Sequence, residues 1–144
     1  MKFISFEDPE STILSLSALS GATCGAVNLF APNEGHDMFF EEATPKNPSC
    51  TRWLGHAVTS TAIMTASHNT EDHTVRAKKD TLKALSVVHG SMAGLMAYDL
   101  YKEDVKKPLA IGHICLHAGL ATACLVRGFA KDKDEKEDVA EKKK

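Results

Sequence analysis

The stretch "PLAIGHICLHAGLATACLVRG", residues 108–128, has no acidic or basic side chain before Arg127, yet it carries two histidines, His113 and His117. Residues at i and i+4 lie on one face of a helix, so the segment reads as an apolar helix presenting imidazoles on a single side. A bilayer suits such a segment, because about 17–25 mostly apolar residues make a helix long enough to cross it.

Three more charge-free stretches precede it, at residues 12–33, 53–70 and 84–98. The mean hydropathy of the chain, -0.19, is that of an ordinary soluble protein, but the charges are segregated into the connections. A helix of a soluble bundle normally keeps one strongly polar face. The segments "TILSLSALSGATCGAVNLFA" (12–31) and "WLGHAVTSTAIMTASH" (53–68) offer only Ser, Thr, His and Asn for it. The expected fold is therefore all-α, a four-helix transmembrane bundle with spans near residues 11–31, 52–70, 81–100 and 108–128. Lys83 snorkels at the start of the short third span. Residues 1–130 form the membrane domain, and "KDKDEKEDVAEKKK", 131–144, a disordered charged tail.

Punctuation supports these bounds. Pro9 and its acidic neighbours precede the first span, with Ser11 or Thr12 as the expected cap, Pro32 follows it, and Pro108 opens the fourth. In the long first loop, Met38-Phe39-Phe40 reads as a short interfacial helix at the membrane surface, or as a plain loop. Small residues recur at four-residue steps: Ser17, Gly21 and Gly25; Ala62 and Ala66; Gly90 and Gly94; Gly119 and Ala123. Helices associate in lipid through such seams, so each span is expected to pack along its own.

Twelve of the 17 Lys and Arg residues fall on the side holding the termini and the second loop, and five on the other. The excess of positive charge puts both termini on the stromal, matrix or cytosolic side of an organelle inner membrane, thylakoid or mitochondrial. No secretory signal or transit peptide is expected at "MKFISFEDPE". The net charge of -2, without a basic stripe, excludes nucleic acid as a partner. Cys24, Cys50, Cys115 and Cys124 lack metal-like spacing and call for no disulfide, and Glu34, Asp37, Glu41 and Glu42 around His36 read as a solvated acidic loop. No nucleophile elbow, phosphate loop or dinucleotide fingerprint is present, so no catalytic residue and no enzymatic activity are expected.

At 1.5 Å per residue, alternating spans bring His56 level with His113, and His89 level with His117. All four are expected to face the bundle interior or a ligand lodged against it. Three roles suit them: ligation of haem iron or chlorophyll magnesium, a proton path, or hydrogen bonds to hydroxyls across helices. As cofactor-binding residues the candidates are His56, His89, His113 and His117, with His117 foremost because its depth shields it from water, and with chlorophyll or haem as the group bound.

The run "GAVNLFAP" closing span one, the "TRWLG" opening span two and the Arg after span four resemble the layout of DoxX-like small four-helix membrane proteins over residues 12 to 128. The resemblance implies the four-helix fold and carries over no functional residue. Two functions follow: an accessory subunit of a larger energy-converting membrane complex, photosynthetic or respiratory, with other subunits and the lipid bilayer as partners; or a small stand-alone haem-binding membrane redox protein.

Overall fold

Helix-start chemistry recurs along the chain. Asp8 accepts from the Ser11 N–H at 2.7 Å, Asn47 from the Cys50 N–H at 3.1 Å and Thr74 from the Ala77 N–H at 3.3 Å, each satisfying an orphan donor of a first turn. Prolines at residues 9, 32, 48 and 108 occupy first-turn positions where a missing N–H is harmless. A computed structural model describes residues 3–42, 44–70 and 73–130, and in it the chain is all-helical: α1 (Pro9–Phe30), α2 (Pro32–Phe39), α3 (Pro48–His68), α4 (Val75–Tyr101) and α5 (Lys107–Gly128). No strand occurs among the described residues, only an isolated antiparallel bridge between Phe40 and Val105.

Several expectations are corrected. The cap of α1 is Asp8; Ser11 is the donor of that bond, and Thr12 turns its hydroxyl to the Asp8 carbonyl. The short helix expected in the first loop is present as α2, but it begins earlier, directly after a non-helical Ala31, and takes in Met38 and Phe39 but not Phe40. Helix α4 starts well before residue 81 and absorbs Arg76, Lys78, Lys79 and Asp80, because charge by itself does not interrupt a helix. Only α1 and α5 are long and apolar enough to cross a membrane by length and composition; α3 and α4 are not. The expected tail, 131–144, lies outside the described residues.

Two helix pairs make up the bundle, α1 against α3 and α4 against α5, with lighter packing between the pairs. The first pair meets backbone to backbone. A Cβ on Gly25 would stand 2.8 Å from the Thr59 nitrogen, and one on Gly55 would stand 2.6 Å from the Leu29 nitrogen. A further step along, Gly21 leaves just enough room for the Ala62 methyl, 3.1 Å from where its own Cβ would be. The expected seams of α1 and α3 are thus used, whereas those of α4 and α5 are not: a Cβ at Gly90, Gly94, Gly112 or Gly119 would meet nothing within 4 Å.

Between the pairs, a small apolar cluster of Leu14, Leu82, Leu85 and Cys124 joins α1, α4 and α5. Polar ties close the same end. Arg127 reaches Glu10 at 2.6 Å, Lys78 donates to the Ser11 hydroxyl at 2.9 Å, and the buried Asn69 amide donates to the Ser15 hydroxyl at 2.9 Å. The opposite end is closed by the first loop, whose Glu41 N–H donates to the Asp104 carbonyl and whose Phe39 carbonyl accepts from the Lys106 N–H. The N-terminal part of α1 and the C-terminal part of α5 therefore share one end of the bundle.

Two outcomes follow for stability. Gly55→Ala, which forces a methyl into backbone, should destabilise the protein by about 1–3 kcal/mol, the usual range for overpacking, whereas Gly94→Ala should be neutral or stabilising by about 0.4–1 kcal/mol. Thermal unfolding in detergent separates them, and equal effects would contradict the close crossing. At Asp8, partial burial pushes the carboxyl up, but the two Ser11 hydrogen bonds and the Lys78 ammonium outweigh it and hold the value below 3.8. Its contribution is present above the unfolded value and is lost as pH falls through the lowered folded one. An Asp8→Ala variant should therefore lose about 1 kcal/mol at neutral pH and differ least from the parent in strong acid.

Candidate functional site: an interior histidine cluster

Helix α4 turns His89 inward and α5 turns His117 inward; they are 5% and 4% exposed, in a bundle that presents large apolar side chains such as Ile63, Val87 and Leu95 outward. Burying an imidazole without partners costs about 1–3 kcal/mol, and the two satisfy each other. His89 Nδ1 lies 2.8 Å from His117 Nδ1, and His89 Nε2 lies 3.0 Å from the Ser17 hydroxyl on α1. The result is a chain, Ser17–His89–His117, that crosses from one helix pair to the other. Cys124 sits against Ser17, fully buried.

A neutral imidazole has one N–H and one lone pair, so this chain has two self-consistent arrangements. If His117 donates to His89, the His89 Nε2–H donates to Ser17 and His117 Nε2 is a bare lone pair. If His89 donates to His117, the Ser17 hydroxyl donates to His89 Nε2, and His117 Nε2 carries a proton.

His113, one turn before His117, completes the cluster. Its ring centroid is 4.2 Å from that of His117, and Phe39 of α2 packs edge-on against it at 5.5 Å. His56, by contrast, is exposed on the outside of α3 and meets neither His113 nor the bundle interior. The cause is helical rotation. Gly55 faces α1 at the close crossing, and the next residue is turned about 100° away from it at 3.6 residues per turn.

The contact between His89 and His117 decides which cofactor arrangements are open. The two axial nitrogens of a sandwiched macrocycle, each about 2.0–2.1 Å from the metal, stand about 4 Å apart, and two ligands of a tetrahedral ion more than 3 Å, so the 2.8 Å separation of His89 and His117 is that of a hydrogen bond. The pair does not sandwich a haem or a chlorophyll. Among the described residues no three His, Cys, Asp or Glu side chains converge as a metal site.

Two openings flank His117. One, about 200 Å³, lies between α1, α3 and α4 and is lined by Ser17, Gly21, Ala62, Thr65, His89 and His117. The other, about 540 Å³, is a groove between α1, α2 and α5, where His113 and His117 stand among Leu16, Leu19, Phe39 and Leu120. Ser17 and Phe39 escaped the sequence analysis as site residues. Ser17 was visible only as a member of a small-residue seam, and Phe39 belongs to a segment with no helical register to the spans.

The acidic first loop behaves as solvated surface. Asp37 is held below 3.8 by its hydrogen bond from Lys46, at 2.7 Å, and His36 stacks on Phe40 with centroids 4.8 Å apart.

Replacing Ser17 by Ala leaves a buried imidazole nitrogen without its partner and should cost about 1–3 kcal/mol in thermal unfolding. The exposed Ser60→Ala should change little. Equal stability of both variants would show that the Ser17 bond contributes nothing.

No protein-family model, curated protein or solved structure matches the chain.

Proposed function

We propose that α1, α3, α4 and α5 all span a lipid bilayer, and that the protein serves as an accessory subunit within a larger energy-converting membrane complex, photosynthetic or respiratory. The observation that carries the membrane part is inverted polarity. Buried positions include Ser15, Ser17, Thr65, Asn69, His89 and His117, while Ile63, Met64, Val87, Leu95, Ile111 and Val126 point outward. A soluble core helix hides its apolar residues, yet only 33% and 22% of the apolar windows of α1 and α5 are buried.

The aromatic residues support the same reading. All nine lie at or beyond the ends of the long helices: Phe3, Phe6 and Phe129 at one end, and Phe30, Phe39, Phe40, Trp53, Tyr98 and Tyr101 at the other. Trp53, Tyr101 and Phe30 are 76%, 78% and 82% exposed. Aromatic rings favour the two membrane–water interfaces. Helices α1 and α5, each of 22 residues, run about 33 Å at 1.5 Å per residue, against a hydrocarbon core of about 30 Å.

Helices α3 and α4 fall short in hydropathy because of hydroxyls and histidines, but much of that polarity is hidden from lipid. Thr61 donates to the Ala57 carbonyl at 2.9 Å, Thr65 to the Thr61 carbonyl at 2.8 Å, and Ser86 to the Lys83 carbonyl at 2.7 Å. A hydroxyl bonded back to its own helix no longer needs water. Lys83 extends over Phe129, 5.4 Å from its centroid, a geometry that carries its charge toward the headgroups.

The open faces at Gly90, Gly94, Gly112 and Gly119 support assembly. In lipid, small residues on a helix surface favour close approach by a further helix, and these have no such neighbour among the described residues. Interior imidazoles fit a complex that handles pigment, haem or protons. The four-span layout keeps the likeness to DoxX-like proteins as part of the same proposal.

Native electrophoresis of gently solubilised membranes should show the full chain migrating with a large complex. A monodisperse, thermally robust monomer recovered from the same membranes without partners would overturn the subunit assignment. In sealed vesicles, protease should reach the tail and the first loop from opposite sides; cleavage of both from one side would overturn the four-span topology.

A further inference from the structure

We infer that the groove between α1, α2 and α5 binds a flat metal macrocycle of the tetrapyrrole class, with His117 Nε2 as its single axial ligand from the protein. The inference rests on the membrane reading for its apolar surroundings and deepens it by naming the ligand class and the ligating atom.

The orientation of His117 comes first. An imidazole that ligates metal almost always has its other nitrogen held by a hydrogen bond, which fixes ring and tautomer. His117 Nδ1 is held by His89, which Ser17 anchors in turn. When His117 donates along that chain, Nε2 is a lone pair.

That nitrogen also has access to open space. Among the described residues, the side-chain polar atoms both sealed and unpartnered are Thr59 Oγ1, Asn69 Oδ1 and Arg127 Nε. His117 Nε2 is not one of them and has no hydrogen-bond partner among the described residues. It is therefore an unpaired nitrogen in a buried residue that borders a cavity. The groove on the α5 side, at about 540 Å³, falls within the range of about 300–1,000 Å³ typical of small-molecule and cofactor sites. Leu16, Leu19, Leu116 and Leu120 supply apolar walls, with Phe39 at one end.

Coordination number selects a macrocycle over a bare ion. A bare transition-metal ion needs several protein ligands, and among the described residues no three ligating side chains converge. A tetrapyrrole brings its own in-plane nitrogens and needs only an axial one. His113 is on the same face of the same helix, its ring 4.2 Å from that of His117, so it flanks the macrocycle and does not reach the opposite side. The protein therefore supplies one axial ligand. Iron porphyrins and magnesium chlorins both accept a neutral imidazole in this role.

The full chain in detergent is titrated separately with ferric protoporphyrin and with zinc protoporphyrin, the latter a redox-inert stand-in for a magnesium pigment. Saturable binding of one molecule per chain with a single-imidazole spectrum is expected from at least one probe. Preference for the ferric probe identifies a haem-type ligand, and preference for the zinc probe a chlorophyll-type ligand. His117→Ala should weaken binding tenfold or more, with the spectrum restored by free imidazole. His117→Met, which keeps the bulk, should shift the absorption band. His89→Gln should weaken binding about 10–100-fold through the lost orienting bond, and His56→Ala should have no effect. Helical circular dichroism confirms that each variant folds. Failure of both probes to saturate, or His117→Ala and His117→Met both behaving as the parent, would overturn the site. A two-imidazole spectrum abolished by His113→Ala would overturn single ligation. None of these readouts depends on migration with a complex, so failure of the site and failure of the subunit assignment are separately visible.

Discussion

The contact on which the rest of the bundle depends is the crossing of α1 and α3 at Gly25 and Gly55. Neither position tolerates a Cβ without displacing backbone of the other helix, so the two helices are drawn into a tight pair. In the α4–α5 pair the close approach is at Gly128, where a Cβ would stand 3.0 Å from the Lys83 stem and 3.1 Å from the Lys83 nitrogen. Packing between the two pairs is lighter than within either. They meet at one end through Leu14, Leu82, Leu85 and Cys124, and leave clefts beyond it. The histidine cluster occupies the boundary between the packed end and the clefts.

Polarity follows from the same geometry. Side chains at the α1–α3 seam must be small, which brings serine and threonine into the interior along with glycine. Once there, they need partners, and the nearest donors and acceptors are backbone carbonyls, Asn69 and the imidazoles. The large apolar residues, excluded from the seam by size, are displaced to the outer surface. Exposed Leu, Ile and Val would be an aggregation liability in water but are the natural surface of a helix bundle in lipid.

Much of the helical content was legible in the sequence because the signals were local: Pro9 and Pro108 at helix starts, Pro32 after the first span, and charge-free runs of helical length. The start of α4 was not legible, since its boundary had been inferred from charge, and Arg76, Lys78 and Lys79 fall within the first two turns of the helix. Axial position along a helix can be estimated by counting residues. That count put His89 opposite His117, where the structure joins them, and also put His56 opposite His113, where it does not. What separates the two cases is rotation about the helix axis, fixed by which residue the neighbouring backbone presses against; Gly55 takes that place on α3 and turns His56 away. The small-residue seams show the same limit. The spacing of Gly90 and Gly94 is that of Gly21 and Gly25, but only the latter meet another helix in this chain.

The Ser17–His89–His117 chain also has a direction. Every proton in it is donated toward the same end, and reversing it moves the proton of each imidazole from one ring nitrogen to the other and rotates the Ser17 hydroxyl; His117 Nε2 takes up a proton from outside as the chain gives one up, so both imidazoles start and end neutral. Such a reversal avoids the large cost of placing a charge in an apolar interior. Whatever engages the free nitrogen of His117 selects one of the two directions, and that selection is expressed at the far end of the chain as the orientation of a single O–H bond on α1. The two helix pairs are thus joined by a contact with two readable states, and the group that distinguishes them, Ser17, faces the cleft on the opposite side from the groove.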